Sequence, residues 1–230
     1  MSEEIRTMFG AVANRYDLTN QIISCGTHQR WRRRTVRVAG AQPGMAVLDC
    51  ATGTGDLAFA FKHAVGEFGR VIGIDFSRPM IALAKQKAGR GGADVAFQVA
   101  DMLNLPFADD TFDISSAAFG IRNVDDPVRG LTEMARVVRR GGQVIVLEFG
   151  RPPGRLFGPL FRWYSRRIIP TLGGWLSGRP SAYHYLTASS AKFPSGEAFV
   201  ALMRATGCFS DIAVTPVTFG IAYIYAGTVA

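Results

Sequence analysis

The fold is decided by Val47-Leu-Asp-Cys-Ala-Thr-Gly-Thr-Gly-Asp-Leu57, an apolar run followed by a glycine-rich turn and a helical pattern. Short apolar runs bounded by turn residues are typical of buried parallel strands. Two glycines directly after such a strand let backbone amides approach a ligand without an intervening Cβ. The segment therefore predicts a strand, a ligand-binding turn and a helix in succession.

Similar apolar runs recur along the chain and alternate with helical patterns. The predicted strands are Ala46–Cys50, Val71–Asp75, Val95–Val99, Phe112–Ala118, Val144–Phe149, Ile212–Val217 and Ile221–Thr228. The predicted helices are Leu57–Ala64, Ser77–Ala88, Val128–Val138 and Ser195–Thr206. Strands that alternate with helices of this length favour right-handed βαβ units. Residues 1–230 are therefore expected to form one α/β domain, with helices on both faces of a mostly parallel, seven-stranded sheet.

Two segments differ in composition from this pattern, one before its first strand and one after its fifth. Residues 1–42 predict helices rich in aromatic and arginine side chains, which we interpret as a helical lid. Residues 151–194 contain no acid and are rich in glycine, proline, aromatic residues and arginine. Because the strand and helix rhythm stops there, this segment is predicted to be an insertion after the fifth strand.

The charge and the cysteines limit the partners and the compartment. The net charge is +8, and 22 arginines stand against four lysines. An anionic partner such as a nucleic acid or an anionic membrane leaflet fits this charge, which does not distinguish the two. The three cysteines lie far apart, without metal-ligand spacing, and the N-terminus has acids where a signal peptide is basic. We therefore expect a cytoplasmic protein without a metal site.

Acidic residues follow the first three predicted strands and point to a nucleoside ligand. Gly53 and Gly55 form the turn after the first strand, and Asp75 ends the second strand, where a carboxylate accepts hydrogen bonds from both ribose hydroxyls. Asp101 and Met102 follow the third strand, where they offer an acceptor to an adenine amino group and an apolar side chain to its face. A ribose-bearing cofactor is predicted.

Two cofactors compete for this pattern. Gly53–Ala58 satisfies G-x-G-x-x-A, the signature of a dinucleotide site. However, Asp49 suits the ammonium group of a methionine moiety, and Asp56 at a helix N-terminus would repel a pyrophosphate. Taken singly, these residues fit ordinary turn glycines and a helix-capping aspartate. Taken together, they favour S-adenosylmethionine over a nicotinamide dinucleotide.

The end of the fourth strand is expected to face the sulfonium group of that cofactor. Enzymes that methylate the exocyclic amines of bases often have an Asn-Pro-Pro-Tyr type motif here, whereas this chain has Ala117-Ala-Phe-Gly-Ile-Arg-Asn-Val124. Methylation of nucleic-acid amines is therefore disfavoured. A nucleic-acid binder that uses the arginines between Arg30 and Arg37, and a cofactor sensor without turnover, stay open as other classes.

In the segment that follows the fourth predicted strand, the sequence resembles the C-methyltransferases of quinone biosynthesis, which methylate demethylmenaquinol or a polyprenyl methoxy-benzoquinol. The resemblance rests on Phe119–Val124, Tyr16–Asn20, Arg136–Glu148 and Thr218–Ala222, and it covers nearly the whole chain. It implies a class I methyltransferase, Rossmann-like fold. The chain departs from the family pattern at Ala118 and Gly150, where relatives have serine.

The resemblance and the strand ends together give a set of candidate site residues. The predicted cofactor residues are Asp49, Gly53, Thr54, Gly55, Asp56, Asp75, Phe76, Asp101, Met102 and Ala118. The predicted substrate residues are Tyr16, Asn20, Phe119 and Asn123. For Asn20, helix capping is the alternative role.

Methyl transfer to a quinol ring needs the neighbouring hydroxyl to lose its proton, and a phenol has a pKa of about 10. Arg122 is predicted to stabilise the developing oxyanion, and an ion pair with Asp125 or Asp126 is its alternative role. His28 is a candidate general base, with packing or capping as the alternative.

The predicted partner is a polyprenyl quinol, with demethylmenaquinol first and 2-methoxy-6-polyprenyl-1,4-benzoquinol or another phenolic or lipid small molecule as alternatives. No nucleic-acid partner is expected, and the sequence indicates no oligomeric state. Arginines alternate with aromatic residues in the insertion, which favours peripheral contact with an anionic membrane surface at the inner face of the cytoplasmic membrane. An arginine-flanked core helix is the alternative.

Overall fold

A computed structural model describes residues 17–19, 21–24, 26–152, 157–177 and 180–230. The strands are β1 (Ala46–Cys50), β2 (Arg70–Asp75), β3 (Ala96–Val99), β4 (Phe112–Ala118), β5 (Val138–Phe149), β6 (Phe209–Val217) and β7 (Ala222–Val229). The helices are α1 (Thr27–Val38), α2 (Asp56–Val65), α3 (Arg78–Gly91), α4 (Pro127–Arg136), α5 (Phe157–Trp163), α6 (Ile169–Ser177), α7 (Pro180–Lys192) and α8 (Glu197–Ala205).

The seven strands form one sheet in the order β3-β2-β1-β4-β5-β7-β6. The strands from β1 to β5 pair in parallel, and β7 runs antiparallel to both β5 and β6. The predicted mostly parallel, seven-stranded sheet is therefore confirmed. The strand order reverses between β1 and β4, and ligands of open α/β sheets bind at the carboxyl ends of the strands beside such a reversal.

Both faces of the sheet are covered because the central strands are apolar on both sides. In β1, Val47 and Leu48 are both fully buried and belong to separate cores. Val47 packs in the core formed with α1, α2 and part of α3, which includes Phe61. Leu48 packs in the core formed with α4 and α8, which includes Leu131 and Phe199. This burial fixes β1 in the middle of the sheet and holds its carboxyl end at the reversal.

The fifth strand differs from its prediction. It begins at Val138 rather than Val144, and the helix before it ends at Arg136. A Cβ atom on Gly142 would lie 2.6 Å from the backbone oxygen of Asp113, so glycine is needed where β5 passes β4. The pairing register of β4 with β5 shifts at the same place. Gly141 and Gly142 therefore form an irregularity inside a strand.

The N-terminal segment and the insertion pack against each other. The insertion contains α5, a π-helical turn at Tyr164–Ile168, α6 and α7. The hydroxyl of Tyr164 donates to the backbone oxygen of Ile23 at 2.9 Å, and Ile23 also packs against the buried Tyr183 of α7. Over the described ranges, no helix has both the length and the apolar character that crossing a membrane requires.

Candidate active site

The glycine turn after β1 is shaped by left-handed backbone and by close packing. Gly53 has a φ of 58° and Gly55 a φ of 88°, which favour glycine at both positions. A Cβ atom on Gly55 would lie 2.7 Å from the ring of Phe97, whereas one on Gly53 would meet nothing within 4 Å. Gly55 is therefore required by packing, and Gly53 leaves its backbone open towards a ligand.

Asp75 ties this turn to the end of β2. One of its carboxylate oxygens accepts from the backbone N–H of Gly53, and the other accepts from that of Ser77, both at 2.8 Å. Burial raises the pKa of Asp75, and these backbone donors oppose the shift. The backbone N–H of Phe76 is a third donor to this carboxylate, and the lone-pair sites that these donors leave are available to a ligand hydroxyl.

A cleft opens where these strand ends meet, and it contains most of the predicted cofactor and substrate residues. The predicted residues that line it are Gly53, Asp75, Phe76, Asp101, Met102, Ala118, Phe119 and Asn123. The sequence analysis missed Ser77, Met80 and Leu103, which also line it. The Oγ atom of Ser77 is buried without a hydrogen-bond partner among the described residues. The Ser77 hydroxyl is therefore available to form a hydrogen bond with a ligand.

Asp49 lies beneath the glycine turn rather than in the lining of the cleft. Its side chain is 1% exposed and accepts from the hydroxyls of Thr52 at 2.5 Å and Ser116 at 2.7 Å. Burial raises the pKa of Asp49 to about 6. Both hydroxyl residues were missed; Ser116 could not be found from local sequence, because nothing there shows that β1 and β4 are neighbours. These hydrogen bonds connect the glycine turn to β4 and stabilise its position.

A cluster of charged side chains lies beside the turn and joins it to the N-terminal segment. Lys87 of α3 donates to Asp17 at 2.8 Å and to Asp56 at 2.6 Å, and the hydroxyl of Thr54 donates to Asp17 at 2.6 Å. Arg32 of α1 lies 3.4 Å from the other carboxylate oxygen of Asp56. Although burial alone would raise the pKa of Asp56, Arg32 and Lys87 hold it below its usual value. Lys87 and Arg32 were both missed as site residues.

Arg122 follows β4 in a short 3-10 helix (Ile121–Asn123) and pairs with Glu148 at the end of β5. Its Nη1 atom donates to Glu148 at 2.8 Å and to the backbone oxygen of Phe119, and both ionic side chains are 2% exposed. Of the two alternative partners named above, Asp126 instead caps α4. Burial raises the pKa of Glu148, and Arg122 opposes that shift.

The ion pair keeps two unused polar atoms. Arg122 Nε and Glu148 Oε2 are buried and have no hydrogen-bond partner within the described part of the chain. A donor and an acceptor left in this state are costly unless a ligand or water meets them. Arg122 is therefore held in one orientation and still has a donor available.

Aromatic rings pack beside Arg122, and one of them, Phe119, lines the cleft. The ring centroids of Phe119 and Phe149 are 4.3 Å apart, and that of Trp31 lies 6.1 Å from Phe119. The guanidinium of Arg122 lies 5.4 Å from the centroid of Phe149. Phe119 has a φ of 56°, a strained value for a bulky residue. Because such strain often marks functional sites, this aromatic wall is a candidate surface for a flat substrate.

Of the other predicted residues, Asn123 lines the cleft, whereas His28 is not among its lining residues. His28 is buried in the first turn of α1, and its Nδ1 atom lies 2.5 Å from the hydroxyl of Ser24. Burial and the charge of Arg32 lower the pKa of His28, which keeps it neutral at pH 7. Asn123 accepts from the hydroxyl of Tyr185 at 3.3 Å, and Tyr185 was missed. Tyr16 and Asn20 lie outside the described residues.

Comparison with known proteins identifies the family of this chain. The model of the ubiE/COQ5 methyltransferase family matches residues 1–229. A ubiquinone/menaquinone biosynthesis C-methyltransferase UbiE from Bdellovibrio bacteriovorus is 50% identical over 227 residues, which are 99% of this chain and 96% of that protein. A demethylmenaquinone methyltransferase from Thermus thermophilus is 46% identical over 221 residues, which are 96% of this chain and 99% of that protein.

Solved structures with lower sequence identity show the same fold. A SAM-dependent methyltransferase from Thermotoga maritima has a TM-score of 0.69 at 21% identity, covering 97% of this chain and 99% of its own. Phosphoethanolamine N-methyltransferase 2 from Haemonchus contortus, solved in complex with S-adenosyl-L-methionine, has a TM-score of 0.61 at 17% identity. That match covers 86% of this chain and 52% of the other. The predicted class I methyltransferase fold, family and methyl donor are confirmed, and the chain belongs to the ubiE/COQ5 methyltransferase family of S-adenosylmethionine-dependent enzymes.

Proposed function

We propose that this enzyme methylates a ring carbon of a polyprenyl quinol, with demethylmenaquinol as the first substrate. The observation that carries the proposal is one cleft whose lining runs from Asp75 and Asp101 to Phe119 and Asn123. A nucleoside and an aromatic acceptor can therefore share the cleft. Relatives named demethylmenaquinone methyltransferase, from Thermus thermophilus and Deinococcus radiodurans, support this substrate. Relatives named for both quinones support the methoxy-benzoquinol as the alternative.

The cleft offers groups that fit the nucleoside of the donor, which when bound supplies an electrophilic methyl group on its sulfonium. In this proposal Asp75 accepts from the ribose hydroxyls and Asp101 from the adenine amino group. Met102 is buried and gives an apolar surface for the adenine ring. The unpartnered hydroxyl of Ser77 provides one more polar contact. Each of these groups lines the same cleft.

Arg122 is the proposed electrostatic catalyst. A quinol hydroxyl with a pKa of about 10 forms little phenolate at neutral pH, so a fixed cation beside its oxygen favours the reactive form. The Glu148 carboxylate holds the guanidinium at 2.8 Å, and the Nε donor of Arg122 is unused. Phe119 lines the cleft, its backbone oxygen accepts from Arg122, and its ring provides an apolar surface for the quinol ring.

His28 is proposed as a second catalytic group, because its lowered pKa leaves the imidazole neutral and able to accept a proton. Its charged neighbours are Arg32, Asp56 and Asp17, on the glycine-turn side of the cleft. The contact of Asp17 with Thr54 supports residues 1–42 as a lid that excludes water from the sulfonium. Tyr16 and Asn20 are proposed to face the quinol from that lid.

Peripheral contact with an anionic leaflet is the second part of the proposal. Trp163 is 57% exposed and Trp175 is 79% exposed in the acid-free insertion, and Arg167 is also exposed there. Leu18, 62% exposed, lies on the N-terminal segment that packs against this insertion. Exposed tryptophan and arginine suit the headgroup boundary of an anionic bilayer, where a polyprenyl tail also resides. We define these four side chains as the insertion surface.

Flotation with phosphatidylglycerol vesicles and with neutral vesicles tests the insertion surface. Trp175→Ser is expected to lower recovery with the anionic vesicles. The matched control is Phe68→Ser, since Phe68 is 90% exposed in the turn between α2 and β2. Equal recovery of the wild-type protein from anionic and neutral vesicles would exclude this part of the proposal.

The choice of acceptor is tested with labelled S-adenosylmethionine and each reduced quinol analogue in separate reactions. The proposal expects label in both products, with a larger kcat/KM for the demethylmenaquinol analogue. A larger kcat/KM for the benzoquinol analogue would reverse the substrate order. No transfer to either ring would overturn the proposed function.

A further inference from the structure

One arginine of α1 differs from its neighbours in burial. Arg30, Arg33, Arg34 and Arg37 are exposed, as expected for a solvated helix face. Arg32 turns inward, and its side chain is 13% exposed. A buried arginine needs acceptors for its five N–H groups, so its surroundings indicate what it binds.

The described part of the chain gives Arg32 few acceptors. Its Nη2 atom lies 3.4 Å from Asp56, the first residue of α2. Its Nη1 atom is buried and has no hydrogen-bond partner among the described residues. Buried donors of this kind are rare in folded proteins, and each costs free energy unless another group meets it. Arg32 Nη1 can therefore donate a hydrogen bond to a further acceptor.

The position of Arg32 indicates which part of the methyl donor supplies that acceptor. Asp75 and Asp101 take the nucleoside, which leaves the glycine turn after β1 for the amino-acid end. Arg32 pairs with Asp56 directly after that turn, and its charge opposes the rise that burial causes in the pKa of Asp49, which lies beneath the turn. The guanidinium is therefore close to both ends of the turn.

The other cation of this cluster is already satisfied. Lys87 Nζ lies 2.8 Å from Asp17 and 2.6 Å from Asp56, so two carboxylates share its charge. Among the described residues, the ion pair of Arg32 is one longer contact, with a carboxylate that Lys87 also neutralises. Of the two, Arg32 is the one with both an unused donor and charge available for an anion.

We propose that Arg32 binds the α-carboxylate of the methionine moiety of S-adenosylmethionine through Nη1. Asp56 orients the guanidinium from the other side. The inference rests on the methyl donor and is independent of which quinol accepts the methyl group. It gives a ligand to an arginine that the sequence alone placed in a surface cluster.

Calorimetric binding of two nucleosides tests the proposal without turnover. S-adenosylhomocysteine carries the carboxylate, whereas 5′-deoxy-5′-methylthioadenosine has the same nucleoside and thioether without the amino-acid end. Arg32→Met is expected to raise the Kd of S-adenosylhomocysteine by about 10- to 100-fold and to change that of methylthioadenosine by less than about twofold. Arg33→Met is the matched control and leaves both values unchanged.

Two results would overturn the proposal. Equal weakening of both nucleosides by Arg32→Met would show that the arginine supports the turn only through packing. An unchanged Kd for S-adenosylhomocysteine would show that Arg32 does not bind the carboxylate. Should Arg32→Met fail to fold, Arg32→Lys provides the same comparison. It retains the charge but loses the planar fork, so a smaller loss confined to S-adenosylhomocysteine is expected.

Discussion

The buried ion pair of Arg122 and Glu148 allows a structural role to be separated from a catalytic one. The two charged groups are 2.8 Å apart, and both side chains are 2% exposed. Removing one partner of such a pair leaves an uncompensated buried charge and costs about 3–5 kcal/mol. For a chain of 230 residues, we expect Arg122→Met to lower Tm by on the order of 10 °C.

The loss of Tm in Arg122→Met is expected to depend on pH. Burial already raises the pKa of Glu148, and loss of the Arg122 charge raises it further. A carboxyl group whose pKa is higher in the folded protein binds its proton preferentially there, so stability falls as pH rises between the unfolded and folded values. The loss of Tm is therefore expected to be smaller at about pH 5 than at about pH 8. At the higher pH, the buried Glu148 either carries an unpaired charge or stays protonated, and both states cost free energy.

The double variant Arg122→Met/Glu148→Gln removes the unpaired charge. Most of the lost Tm is expected to return, whereas kcat stays lower by about 10²- to 10³-fold, because the oxyanion still lacks its charged donor. Calorimetric binding of S-adenosylhomocysteine serves as the control and stays near the wild-type value, since the nucleoside part of the cleft is lined by Asp75, Asp101 and Met102. Recovery of kcat together with Tm would refute the catalytic role.

Further predictions concern the glycine turn and the acid beneath it. Gly55→Ala is expected to lower the free energy of unfolding, measured in urea, by about 1–3 kcal/mol, because its Cβ atom would overlap Phe97. Gly53→Ala is expected to cost only the strain of its φ, about 1 kcal/mol, and mainly to weaken cofactor binding. Equal losses of stability would contradict this contrast. Asp49, with a pKa raised from 3.8 to about 6, makes the folded protein less stable by about 3 kcal/mol as pH rises through that window. Asp49→Asn removes that dependence, and an unchanged slope of stability against pH would show that Asp49 is not the group responsible.

The central strands were predictable because burial on both faces gives a continuous apolar run with sharp ends. The predicted bounds of β1 and β4 match the structure residue for residue. The start of β5 was missed, because Gly141 and Gly142 are typical of a turn, and only the passage of β5 beside Asp113 explains why a strand needs them. A sequence does not show which backbone atoms a glycine will meet.

The strand-end residues of the site were also predictable, since the carboxyl ends of parallel strands meet at one edge of a sheet. Asp75, Asp101 and Phe119 therefore share one cleft in the structure. The ion pairs were not predictable. Glu148 reaches Arg122 from another strand and Lys87 reaches Asp17 from another helix, and no local pattern specifies such partners.

The central claim is transfer of the methyl group from S-adenosylmethionine to a ring carbon of the quinol. The most direct measurement uses S-adenosylmethionine with a ¹³C-labelled methyl group and a reduced demethylmenaquinol analogue, followed by NMR of the purified product. We expect a labelled carbon whose chemical shift is that of a methyl group bonded to an aromatic ring carbon. A label with the shift of a methyl ether, or no label in the quinol, would contradict it.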